Sequence, residues 1–479
     1  MPERSNGAVL KTASPRGLVG SNPTPAASFA PNPDVAAGAR LGHRLRELGY
    51  REETLLELFD SDDYPANAVD VYVFARRLPD SKLGIATRLL FLQQPVARAD
   101  AERALGAGGL EALEATGLGQ IGSTVVARGR ISPTRELLLA SDGFSEGDSD
   151  PPDYVATYTP AARLCDMLTP RPRVGRALDV GTGNGVHALL AAAHAGVAVA
   201  TDVNERALAF TALNAALNEL ENVETRHGSL FEPVAGQEFG LMTCNAPFVV
   251  SPETRWVYRD GELPVDELSE RVVREASKRL ADGGWATLLV SWVVRDVDAP
   301  NERPLEWVSE IGCDAWILSN SDSDPLDHAA SWNDHLTGAD LEEALDRWSA
   351  YFSELGVHRI VEGAVILNRR DRENSVREDD FDGDELEEAG EQIQRAFANR
   401  RLSKEQLLHA RLAPGASVEQ TLRGGRTVSA SVTLDGGTFA EVDVPPVTAE
   451  ALAAGRPART RDLPVLRELA ELGLLTAGA

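Results

Sequence analysis

Lysine is scarce in this chain of 479 residues. Only Lys11, Lys82, Lys278 and Lys404 accompany the arginines, and 47 basic residues face 74 acidic ones, for a formal net charge of −27. A polypeptide built to grip phosphate backbones usually carries a basic excess or patch, so non-specific binding to a polyanion is disfavoured. Cysteine is equally sparse. Cys165, Cys244 and Cys313 lie far apart with no CxxC, which argues against a disulfide framework or a thiolate zinc site. The eight histidines show no HxxxH spacing and no ligand-like grouping with carboxylates, so no metal is expected. No GxSxG and no phosphate-loop GxxxxGK(S/T) occurs. The longest strongly apolar run, Thr287–Val294, falls well short of the ~20 residues needed to cross a bilayer. No apolar stretch follows the first charges, as a secretory signal would require. These absences predict a cytoplasmic, acidic protein that does not enter a membrane.

What is present suffices for a core. Hydrophobic residues make up 43% of the chain, normal for a globular protein, and the length allows several domains at roughly 100–200 residues each. Residues 1–38, rich in Ser, Pro, Ala, Gly and Asn, are expected to form a disordered tail. Residues 39–145 read as a helical, winged-helix-like module. Leu45, Leu48, Leu55, Leu56 and Leu58 mark amphipathic helix, and Ser123–Arg128 with Glu136–Ala140 mark a small hairpin. From 150 to 370 short β runs alternate with helical segments, the pattern of a parallel sheet covered by helices. The acid-rich stretch 371–391 reads as a linker. Residues 392–479 read as an α+β module, with a hairpin turning at Asp435-Gly436-Gly437.

Two constellations carry chemistry. In the first, a β run ending in Leu178-Asp179-Val180 enters Gly181-Thr182-Gly183-Asn184-Gly185 and then a helix. Glycines there permit positive φ and close approach of a ligand to the backbone. A glycine-rich turn of this kind also serves nicotinamide dinucleotides and generic βαβ units. Here the spacing is GxGxG, and an acid inside the strand suits a cofactor with a cationic head rather than a pyrophosphate. Asp202, at the end of the next strand, is placed to accept both ribose hydroxyls of a nucleoside.

The second constellation, Thr243-Cys244-Asn245-Ala246-Pro247-Phe248, follows the fourth strand, at the edge where open α/β sheets bind ligands. The Asn245 carboxamide and the Ala246 backbone carbonyl can accept two hydrogen bonds from one planar NH2 group. Pro247 holds the preceding residue extended, and Phe248 offers a π face. Tyr158 is a candidate for closing the cofactor pocket, or else a packed aromatic. The segments Tyr258–Gly261 and Asp324–Asn333 are either pocket walls or surface loops.

Taken together, LDVGTGNG, Asp202 and NAPF resemble the class I S-adenosylmethionine-dependent methyltransferases. Within these they are similar to the N-directed branch whose motif reads (N/D)PP(Y/F), the HemK-like and small-domain enzymes. The resemblance covers about residues 150–370. It implies a Rossmann-like sheet and S-adenosyl-L-methionine as cofactor. Asp179, Gly181, Gly183 and Gly185 would border its methionine part, Asp202 its ribose and Ser229 its adenine. The acceptor nitrogen would sit against Asn245, Ala246, Pro247 and Phe248. Ser229 stands where the family often has Asp, and Ala246 where it usually has Pro. The acceptor implied first is a protein glutamine amide. An RNA or DNA base amine, and a non-catalytic cofactor-binding scaffold, are the alternatives.

Overall fold

The computed structural model describes residues 29–61, 64, 68–144, 150–245, 247–253, 265–370, 374–384, 386–423, 426–438 and 441–478. Its centre is an eight-stranded mixed sheet. In chain order the strands are β1 (Val174–Val180), β2 (Ala195–Asp202), β3 (Val223–His227), β4 (Phe239–Cys244), β5 (Leu280–Val294), β6 (Cys313–Ser323), β7 (Arg359–Arg369) and β8 (Val376–Asp380). They lie side by side as β3-β2-β1-β4-β5-β7-β6-β8. Strands β1 to β5 run parallel, and β7 is antiparallel to both its neighbours. The chain therefore reverses its winding direction between β1 and β4, and that switch point opens a crevice beyond the strand ends. The expected parallel alternation holds from β1 to β5; the reversal at β7 carries no sequence signal of its own.

Helices cover both faces, as the double-sided burial of these strands demands. On one face Leu178, Val180, Val199 and Met242 pack against Val272, Val273 and Ala276 of the helix Glu267–Arg279. On the other, Ala177, Leu241, Trp285 and Trp316 join Leu164 and Leu168 of the helix Pro160–Leu168. The same cluster takes in Ile393, Phe397, Leu466 and Leu469, so the C-terminal part shares a core with the sheet. No described helix is long and apolar enough to cross a membrane.

The N-terminal part docks on the helix Glu205–Leu217 that follows β2. Leu41 and Leu45 share a buried cluster with Phe210, Leu213 and Leu217. Gly38 and Gly42 let the helix Val35–Glu47 lie directly on it. A Cβ at Gly42 would stand 2.0 Å from the Leu217 carbonyl oxygen, and one at Gly38 2.7 Å from the Ala216 Cβ. Two carboxamides finish the joint. Asn218 pairs with the backbone N–H and C=O of Leu138, and Asn214 with those of Ala140, so a helix edge pairs with a strand as another strand would.

Several expectations need correction. Helix begins at Val35, capped by the Asp34 carboxylate on the Ala37 N–H, inside the stretch read as tail; residues 1–28 lie outside the described set. The runs 123–128 and 136–140 do not pair with each other. Thr124–Ala127 pairs with Gly119–Ile121 and Val96–Ala97, forming a three-stranded sheet around the helix Arg98–Ala115, which breaks at Gly106. Leu137–Ser141 pairs with Arg130–Thr134 instead. Linker 371–391 contains β8, a sheet-edge strand in which Asp379 accepts from Trp316 and Arg377. Phe381, Leu386 and Ala389 within that acidic run are buried. Strand β6 and the exposed strand Ala416–Arg423 were not anticipated.

Gly42→Ala should destabilise the protein by about 1–3 kcal/mol, the usual cost of forcing atoms into a packed contact. Urea unfolding checks this; an unchanged midpoint would mean that the two helices do not rest on each other here.

Candidate active site

Strand register assembles the site. Val180 of β1 lies opposite Thr201 of β2 and Cys244 of β4, and Asp202 lies opposite His227 of β3. The next residue on each strand leaves the sheet at one edge. Gly228-Ser229, Asp202, the glycine turn and Asn245 consequently stand in that order along it, drawn from four adjacent strands.

The glycine turn is fixed from several sides. Gly181, Gly183 and Gly185 have φ of 66°, 56° and 88°, values that favour residues without Cβ. At Gly185 a Cβ would also meet Thr211 and Leu189 within 3 Å, whereas at Gly183 it would meet open space. Gly183 donates its N–H to Asp202 Oδ2 at 3.0 Å and accepts the Thr211 hydroxyl at 3.1 Å. The Thr182 N–H bonds the Thr201 carbonyl at 3.0 Å. Buried Asn184 caps the following helix through the Val186 N–H and donates to the Ala156 carbonyl. Its own carbonyl accepts from Asn214, the residue that also holds Ala140. The turn thereby connects to the N-terminal part.

Asp179 is buried and bridges two strand ends. One carboxylate oxygen accepts the Thr182 hydroxyl at 2.7 Å and the other the Thr243 hydroxyl at 2.8 Å. Burial pushes its pKa up, and the neighbouring His187 and these hydroxyls offset part of the shift. His187 is itself buried, which holds its imidazole below the usual range. Asp202 also sits above the ordinary carboxylate range because it is desolvated, although the N–H groups of Asn204 and Gly183 donate to it. Among the described residues neither acid pairs with a lysine or arginine. Two desolvated carboxylates without a lysine or arginine partner form a pair of acceptors suited to a cofactor that brings its own ammonium and a ribose diol.

Tyr158 belongs to a segment tied down at many points. Its hydroxyl donates to Asp166 at 2.7 Å, and its ring packs with Leu139, Val186 and Leu189. The Asp166 side chain is fully buried and also meets Arg135 at 2.7 Å and Arg171. Arg135 reaches on to Glu388 at 3.0 Å. Upstream, Asp142 bridges Arg206 and accepts the Val155 N–H, while Asn204 donates to the Asp153 carbonyl. Asn184, Asp166 and Asn204 escaped sequence reading because their roles lie in partners distant in the chain. Thr182 and Asn184 did carry one signal, their place inside the glycine turn.

On the far side of the turn, Asn245 is half-buried and its carboxamide makes no hydrogen bond among the described residues. Ala246 lies outside the described set, as does the segment 258–261. Phe248 packs against the core, and its carbonyl accepts the Ser291 hydroxyl. Ser229 is half-buried, and its carbonyl accepts the Glu232 N–H at 3.0 Å.

A doubly wound sheet with this edge defines a nucleoside-cofactor domain. Residues 160–295 match the family described as Methyltransferase small domain. This segment is a methyltransferase domain of the small-domain kind, for which S-adenosylmethionine is the implied cofactor. The chain is similar to a release factor glutamine methyltransferase of Aliivibrio fischeri, 34% identical over 87 residues, or 18% of this chain and 30% of the relative. A ribosomal protein uL3 glutamine methyltransferase of Bradyrhizobium diazoefficiens is 34% identical over 125 residues, 23% of this chain and 39% of the relative. The chain thus spans well under half the length of these relatives. A solved methyltransferase from Pyrococcus furiosus aligns over 48% of this chain and 89% of its own at 16% identity, with a TM-score of 0.29; the strand order stands without it.

Asp179→Asn separates stability from binding. A raised folded-state pKa means that the ionised acid costs stability, a cost absent at low pH and growing as pH rises through that pKa. At neutral pH the variant should melt no lower than wild type without cofactor, yet bind S-adenosylmethionine about 10–100-fold more weakly. Calorimetry and titration check both; unchanged affinity would remove Asp179 from the cofactor site.

Proposed function

We propose that the protein is an S-adenosylmethionine-dependent N-methyltransferase whose acceptor is a planar amide nitrogen of another protein, a glutamine side chain. The observation that carries this reading is the register of Val180 with Cys244, which sets Asn245 immediately beside the glycine turn. Asp179, Gly181, Gly183 and Gly185 would hold the methionine part, Asp202 the ribose and Ser229 the adenine side. Bound there, the cofactor supplies a methyl carbon activated on a sulfonium.

The remaining work falls to alignment. The Asn245 carboxamide oxygen and the carbonyl preceding Pro247 accept both N–H bonds of the target NH2. That grip turns the nitrogen lone pair toward the methyl group and removes its rotational freedom. The nitrogen sheds its proton during or after transfer, so no strong base is required. Asp179 links the two halves, since its oxygens hold Thr182 in the glycine turn and Thr243 two residues before Asn245.

Three observations favour a protein acceptor over a nucleic acid. The relatives' names specify a release factor and a ribosomal protein. The net charge is −27. On the helix Arg98–Ala115, the one a winged-helix fold would offer to a groove, Arg98 pairs with Glu102 and Arg103 with Asp80 and Asp100. A cationic face neutralised in this way has little left for phosphates. Residues 39–145 and 392–479, flanking the 150–370 domain, are the proposed seat of substrate choice.

Incubation with tritiated cofactor and, separately, release factors, ribosomal proteins and tRNA tests the reading. Label is expected in protein; label confined to RNA would overturn the acceptor assignment, and no transfer at all would favour the scaffold. Asn245→Ala should lower turnover by about 100-fold while leaving cofactor affinity nearly intact, and Asp202→Ala should mainly weaken affinity. Unchanged turnover in Asn245→Ala would refute the acceptor grip.

A further inference from the structure

The chain that follows Asn245 is held by groups outside the recognised motifs. Ser291 of β5 donates its hydroxyl to the Phe248 carbonyl. Two residues on, His328 Nε2 lies 3.0 Å from the Val250 carbonyl oxygen. A carbonyl can only accept, so Nε2 carries the proton. Behind the ring stands Glu362 of β7, buried, with Oε1 3.9 Å from His328 Nδ1 and 3.4 Å from Trp332 Nε1. Ser291 and Glu362 lie directly opposite each other across β5 and β7. Cross-strand partners share a face of the sheet, so the two supports rise side by side beneath the segment.

His328 comes from the helix Pro325–Trp332, inserted between β6 and β7. The next helix, Ala339–Glu354, holds the same stretch further along. Arg347 and Trp348 donate to Glu253, and the Tyr351 hydroxyl accepts the Val265 N–H at 3.3 Å. His328 is fully buried, with the rings of Trp332, Trp348 and Phe352 at 5.9–6.3 Å. An apolar side chain would satisfy that aromatic packing. A polar ring there, aimed at one carbonyl and backed by a buried carboxylate, is explained by what it holds.

We infer that His328 is a positioning residue for methyl transfer. It fixes the 247–250 segment through the Val250 carbonyl and thereby sets where Asn245 presents the acceptor nitrogen. The inference rests on the N-methyltransferase reading for the role of Asn245, but not for the restraint itself.

Two variants separate positioning from packing. His328→Phe keeps the aromatic volume and loses the donor; His328→Gln keeps a donor. His328→Phe should cut kcat toward the labelled protein acceptor about 10–100-fold with cofactor affinity nearly unchanged. Amide exchange in peptides covering 247–253 should quicken while that of 181–185 stays as in wild type. His328→Gln should recover most of both. Wild-type turnover and exchange in His328→Phe would overturn the inference, and so would equal losses in both variants with a matching fall in thermal stability. If wild type labels no acceptor, the methyltransferase reading fails instead, and the exchange comparison still decides whether His328 restrains the segment.

Discussion

One buried carboxylate joins the two halves of the site. Asp179 takes a hydroxyl from Thr182 on the glycine turn and another from Thr243 at the end of β4. Burial makes its charge costly, and no arginine or lysine among the described residues offsets it. A cofactor bearing a cationic head would remove that cost. Stability given up in the empty protein would then return as binding free energy, and the same side chain would hold the acceptor strand in register with the bound cofactor.

From this bridge the restraints spread outward. Asp202 holds the Gly183 N–H, so two neighbouring strand ends act as one. Asn214 passes the restraint from the Asn184 carbonyl to Ala140, and Arg135 and Tyr158 converge on Asp166. The N-terminal part is wired to the turn through buried polar contacts. Each such contact is expensive to leave half-made, so each is specific. Beyond Asn245, Ser291 and His328 restrain the chain through the Phe248 and Val250 carbonyls.

Legibility in the sequence followed the range of the interactions. The β1–turn–helix unit, Asp202 and the residues after β4 were readable because each is a local pattern with a local cause: glycine for positive φ, an acid at a strand end, proline to hold its predecessor extended. Thr243 carries no such signal, since its hydroxyl matters only once the fold brings Asp179, 64 residues away in the chain, within 2.8 Å. Strand β8 hid inside an acidic run because Asp379 pairs with Arg377 on its own strand and with Trp316 on the neighbouring one, and composition alone reads such a run as solvated. Pairing of the 119–141 strands was missed for a related reason. Four short runs separated by tight turns admit several partnerships, and burial against the helix Glu205–Leu217 selects among them.

Hydrogen–deuterium exchange with and without S-adenosylhomocysteine tests most directly whether this sheet edge is the cofactor site. Slower exchange is expected over 179–185, 202–204, 228–230 and 243–245, the four strand ends that stand side by side, with 119–134 and 416–434 unaffected. Protection confined to the flanking parts, or absent from the glycine turn while the ligand binds, would contradict the account.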